Sequence, residues 1–113
     1  MEKAKPKYIA IVGCNNYHGF KIFKPNMIVK LIKEPDNDFD DEAIEVITKE
    51  HGKVGYVANS VHTVPRGCMS AGRIYDTFDK SVSAIVKFVT SSCVIAKLID
   101  NRKQKTSDLK NNQ

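Results

Sequence analysis

The chain has 113 residues, a formal net charge of +5, 42% hydrophobic and 27% charged residues. That is one domain, long enough to bury a core without staples and too short for two, with the composition of an ordinary soluble globular protein. No apolar run approaches a membrane span and the start lacks the apolar core of a signal peptide, which leaves a cytoplasmic protein with no membrane association as the expectation.

In chain order, residues 1–7 read as a flexible basic leader, with Lys3, Lys5 and Lys7 around Pro6. Tyr8 to Val12 is a strand ended by Gly13. Cys14 to Pro25 is a polar and aromatic loop in which Tyr17, His18, Phe20 and Phe23 are interleaved with Lys21 and Lys24. Such a segment can stack bases and neutralise phosphates, or be a hairpin with one buried face; alternation alone does not say which face is wet. Met27 to Ile32 and Ala43 to Thr48 are the next strands, followed by a hairpin turn at Lys49-Glu50-His51-Gly52 in which Gly52 supplies positive φ. Lys53 to Ala58 is the returning strand, and Gly55 within it marks a bulge or the close approach of another backbone.

Asn59 to Met69 has no period and forms a long polar loop, the type of segment that carries a site on a rigid scaffold. Ser70 caps a short helix expected over Ala71 to Phe78, with Ile74, Tyr75 and Phe78 on one face. Val82 to Val89 and Cys93 to Ile99 are two closing strands joined by Thr90-Ser91-Ser92, and residues 100–113 form a polar tail expected to be disordered. Six or so short strands and one short helix define a mainly β fold, a small bent antiparallel sheet or barrel over residues 8–99.

The three cysteines, Cys14, Cys68 and Cys93, are widely spaced and unpaired by motif. Neither a disulfide framework nor a zinc ribbon fits, and Cys14 and His18 with His51 or His62 lack the paired spacing of metal ligands. No structural metal and no cofactor is expected. Seven of the thirteen acidic residues, Glu34, Asp36, Asp38, Asp40, Asp41, Glu42 and Glu45, fall in one stretch. The rest of the surface is therefore more basic than the net charge implies, which favours a polyanionic partner.

That acidic stretch admits three readings. One is a connecting loop, since Pro35 bars a ladder bond and Asn and Asp favour turns. A second is a calcium loop on Asp36, Asp38 and Asp40, but Asp41 stands where such a loop needs Gly and Ile47 where it needs Glu. The third is a family signature. Glu34-Pro35-x-Asn37-x-Phe39-Asp40-x-x-Ala43-Ile44-x-Val46, then Gly52-x-Val54-Gly55-Tyr56-Val57, preceded by Val12-Gly13-Cys14-Asn15-Asn16-Tyr17-His18-Gly19, resembles the HIRAN domain family over about residues 8–99. Asp38 and Phe39 depart from the family's usual Pro and Tyr.

The resemblance implies a barrel related to the OB fold and a module that binds single-stranded nucleic acid, DNA in particular, at its 3′-hydroxyl end in repair or processing. In that family two aromatics hold the terminal bases, an Asp contacts the 3′-hydroxyl and basic residues hold phosphates. Carried over by position, Asp40 falls on the hydroxyl-contacting Asp, Phe39 on one stacking aromatic and Asn37 on the neighbouring Asn. Asn16 stands where the second aromatic is expected, with Tyr17 beside it as a substitute; Asn15 stands where a phosphate-binding Arg is expected and Asn59 near a phosphate-binding Lys. Tyr56, from the Gly55-Tyr56 pair, joins the binding set, and Lys53, Arg66 and Arg73 are candidates to rebuild the weakened basic rim. A helicase or nuclease is the partner protein such a domain implies.

Catalysis has no visible constellation: there is no nucleophile elbow and no phosphate-binding Gly loop. An enzyme is therefore not expected. Two alternatives stand beside nucleic-acid binding: an adaptor domain that has lost it, and a metal-dependent phosphodiesterase built on the acidic loop.

Overall fold

A computed structural model describes residues 5–99. The expected leader over residues 1–7 lies mostly outside the described residues, and the expected tail over 100–113 lies wholly outside them. Within 5–99 the chain forms β1 (Tyr8–Val12), β2 (Ile28–Lys33), β3 (Ile44–Thr48), β4 (Gly52–Val57), a short helix α1 (Ala71–Ile74), β5 (Ser81–Val89) and β6 (Val94–Leu98). The strands close into an antiparallel barrel in the order β1-β4-β3-β2-β5-β6, with β6 returning to β1.

Period-two alternation decides which side chains fill the barrel. Val29 and Leu31 of β2, Ile44 and Val46 of β3, Val54 and Val57 of β4, and Val82, Ala84 and Val86 of β5 point inward and are buried. They meet Ile9 and Ile11 of β1 and Val94 and Ala96 of β6 in one continuous core. Ala10 is buried as well. Segment 58–71 continues along the edge of β1 beyond its short pairing with β4, through Ala58 N to Ala10 O at 2.8 Å and Met69 N to Tyr8 O at 2.7 Å. The chain enters and leaves the barrel side by side, Leu98 N donating to Lys7 O at 2.8 Å.

Two positions show why glycine is required. Gly52 closes the β3–β4 turn at φ 68°, where the Oγ1 of buried Thr48 accepts from His51 N at 3.0 Å. Gly55 lies against β1: a Cβ there would sit 2.8 Å from Val12 O and 2.9 Å from Ile11 Cγ2. Both expectations for Gly55 hold, since the β3–β4 register also shifts between Val46 and Ile47.

The helix is shorter than the sequence pattern suggests. Ser70 caps it as expected, its Oγ accepting from Arg73 N at 3.2 Å. After Ile74 the chain tightens into a 3-10 turn over Tyr75–Thr77, and Phe78 is already extended. Thr77 Oγ1 donates to Ile74 O at 2.6 Å, occupying the carbonyl that a further helical turn would use. Among the described residues no helix is long and apolar enough to cross a membrane, and all three cysteines are free thiols.

Candidate nucleic-acid interface

The acidic stretch folds as two consecutive turns between β2 and β3. Asn37 N donates to Glu34 O at 3.0 Å, closing the first turn around Pro35, and Ala43 N donates to Asp40 O at 3.2 Å, closing the second. Asn37 joins them: its Oδ1 accepts from Phe39 N at 2.8 Å and from Asp40 N at 3.0 Å, while its Nδ2 donates to Glu34 Oε1 at 2.9 Å. One Asn side chain thus fixes the backbone at the two residues that follow. The consequence is that Phe39 stands 96% exposed at the crest of the loop. A shallow hollow is lined by Glu34, Pro35, Asp36 and Asn37, in the first of the two turns.

Asp40 is half-buried and held from both sides. Its Oδ1 accepts from Glu42 N at 2.9 Å and its Oδ2 from Asn59 Nδ2 at 2.9 Å. Asn59 is in turn fixed by Gly72 N, which donates to its Oδ1 at 2.8 Å. The first turn of α1 therefore orients Asn59, and Asn59 orients the carboxylate. Each carboxylate oxygen retains a lone pair for a further donor.

On the outer wall, Glu34 is a hub that the sequence motif contained but did not explain. It accepts from Asn37, from Lys53 Nζ at 2.8 Å and from Tyr56 Oη at 2.9 Å. Burial pushes its carboxyl up, but the hydrogen bonds from Lys53, Asn37 and Tyr56 outweigh that and hold it at about 2. Hydrogen bonding to Glu34 and Tyr56 raises Lys53, which also reaches Glu45 Oε1 at 3.4 Å. The Tyr56 hydroxyl is raised overall: the Lys53 bond lowers it, while burial and its bond to Glu34 outweigh that. Lys53 Nζ also lies 4.8 Å from the Tyr56 ring and 5.9 Å from the Tyr17 ring.

These contacts run unbroken from Tyr17 through Lys53, Glu34 and Asn37 to Phe39 and Asp40. Of the residues singled out by sequence, Tyr17, Asn37, Phe39, Asp40, Tyr56 and Asn59 share this chain. Tyr17 is 40% exposed. Asn15 and Asn16 are exposed on the 3-10 turn just before it. Arg66 and Arg73 are exposed and their side chains make no hydrogen bond or ion pair among the described residues; Arg73 directly follows Gly72. Lys53 is paired with two carboxylates, Glu34 at 2.8 Å and Glu45 at 3.4 Å. Among the described residues no three His, Cys, Asp or Glu side chains converge to hold a metal ion. Sequence reasoning missed Glu34 and Glu42 as members of the site, although the acidic residue before Pro35 was part of the motif.

The described residues thus form a closed six-strand antiparallel barrel that presents an exposed ring next in sequence to an oriented carboxylate. The chain belongs to the HIRAN domain family, whose pattern matches residues 7–106. HIRAN domains are generally nucleic-acid-binding modules. Two solved structures share the fold. A protein from Lactobacillus plantarum is 21% identical, with a TM-score of 0.58 over 81% of this chain and 88% of that one. The HIRAN domain of human HLTF is 20% identical, with a TM-score of 0.55 over 94% of this chain and 87% of that one. No curated protein matches the chain.

Proposed function

We propose that the chain recognises single-stranded nucleic acid, DNA in the first instance, by its 3′-hydroxyl end, as a non-catalytic module acting in repair or processing. The observation that carries this is the pairing of a fully presented Phe39 ring with the fixed carboxylate of Asp40. A ring in water gains by stacking on a terminal base of any sequence. A carboxylate accepts a hydrogen bond from a terminal hydroxyl and repels a terminal phosphate, which makes it a selector of free ends. Tyr17, exposed and near Lys53 of the same run of contacts, is the residue we assign to the second ring in place of Asn16. A helicase or nuclease working at the same end is the class of partner protein this implies.

Binding to oligonucleotides ending in 3′-hydroxyl, 3′-phosphate or blunt duplex tests the proposal. Phe39→Ala should weaken single-strand binding by roughly 1–3 kcal/mol, the worth of one stacked base, with the unfolding midpoint unchanged. Asp40→Asn should narrow the preference for 3′-hydroxyl over 3′-phosphate. If Phe39→Ala unfolds the protein, or Asp40→Asn leaves end preference intact, the end site is not here. The excess of carboxylates around the site favours one competing reading, an adaptor that docks a basic protein surface. Absence of salt-dependent retention on single strands would select it.

A further inference from the structure

The wall of the barrel formed by β2, β5 and β6 has the opposite character to the acidic site. None of residues 80–99 is acidic, and none of residues 3–33. Alternation along β5 buries Val82, Ala84 and Val86, and continued unbroken it would bury Phe88 too. Instead the β5–β6 register shifts between Val86 and Phe88, Lys87 being the extra residue. The bulge turns Phe88 to the outside, where it pairs with Ile95 and is 62% exposed. A large ring that the strand pattern assigns to the core is thus held in water beside a lysine.

Around it, Ile28 pairs with Ile85 and Ile85 with Lys97 on the same outward side, and Lys30 lies one outward position along β2 from Ile28. Lys30 is exposed, while Lys87 and Lys97 are half-buried, as long side chains are when their stems run along an apolar wall. None of the three forms an ion pair among the described residues, where the salt bridges are those of Lys53.

We propose that this wall is a second nucleic-acid contact, binding single strands independently of any end through Phe88 and through Lys30, Lys87 and Lys97. The charge is complementary to phosphate, and a presented ring needs an unpaired base to stack on. An extended peptide has no strand edge to join, because the barrel is closed. The inference rests on the reading of the chain as a nucleic-acid binder, but not on the Asp40 site. It also supplies the phosphate contacts that the acidic end site lacks.

The probe is a short single-stranded DNA circle, which has no ends, measured against the full chain over a range of salt. Wild-type protein should bind it at low salt. Replacing Lys30, Lys87 and Lys97 together by Ala should cut affinity at least tenfold and lower the salt slope by about two, at roughly 0.7 per single-strand phosphate contact. Phe88→Ala should cost roughly tenfold and Phe88→Tyr should restore binding. The proposal is overturned if the wild type ignores the circle, if the Phe88 and lysine variants bind it normally, or if duplex competes equally. It is also overturned if sedimentation shows that Phe88→Ala only splits a dimer while circle binding persists. Linear oligonucleotides separate the two sites: loss of the 3′-hydroxyl preference with circle binding intact refutes the end site alone.

Discussion

Replacing Glu34 by Gln tests whether the carboxylate hub, rather than the loop backbone alone, holds the acidic stretch to the barrel wall. A carboxyl held at about 2 instead of its ordinary 4.5 corresponds to roughly 3 kcal/mol in favour of the folded, ionised form. With 22% of the side chain exposed, solvent screening takes part of this and about 2 kcal/mol remains. For a domain of this size that is a fall in Tm of about 10 °C at pH 7. Because folding lowers this pKa, the contribution is complete above 4.5 and drains away as pH falls towards 2. The gap between wild type and Glu34→Gln should therefore shrink to under half its neutral value by about pH 3. Lys53 keeps Glu45 at 3.4 Å in the variant, so no cation is stranded to confuse the result. Urea unfolding of both proteins from pH 7 down to pH 2.5 gives the curve. A gap that does not change with pH, or one below about 0.5 kcal/mol at pH 7, would refute the hub.

Two further outcomes are expected. Gly55→Ala should destabilise by about 1–3 kcal/mol in urea unfolding, because its Cβ would press on the backbone oxygen of Val12, which cannot swing away as a side chain end can; a neutral result would mean that β1 and β4 separate at no cost. Cys14 should be the last of the three thiols alkylated by iodoacetamide at pH 8, since burial pushes its thiol to about 11 and leaves it inaccessible. Mass spectrometry of partly labelled native protein reads the order, and equal labelling of Cys14 and Cys93 would contradict it.

The strands were legible because each carries a short apolar alternation bounded by turn residues, and the turn at Gly52 and the cap at Ser70 follow from local chemistry alone. The helix was over-extended because Ile74, Tyr75 and Phe78 keep helical spacing, while the stop comes from the Thr77 hydroxyl. Within the site, Phe39 and Asp40 could be found through the motif, and Asn37 through the habits of Asn in turns. The Glu34–Lys53–Tyr56 cluster could not. It exists because Glu45 pairs with Tyr56 and a register shift beside Val54 sets Lys53 opposite Ile47, and registers of strands far apart in sequence leave no local trace. The outward turn of Phe88 is hidden for the same reason: in sequence, Val82 to Val89 reads as unbroken strand.

The pairing of β1 with both β4 and β6 has a consequence for how the molecule assembles. Among the described residues, β1 is flanked by two strands made much later than itself, β4 and β6. The β2–β3–β4 meander and the β5–β6 hairpin can form locally as they emerge, but β1 must wait for residues 52–57 to cover one edge and keeps the other bare until residues 94–98 arrive. Barrel closure is then a single late event between distant segments, which places refolding in the millisecond-to-second range typical of all-β topologies. In that interval the Ile9–Ala10–Ile11 run is the segment most open to pairing with another chain.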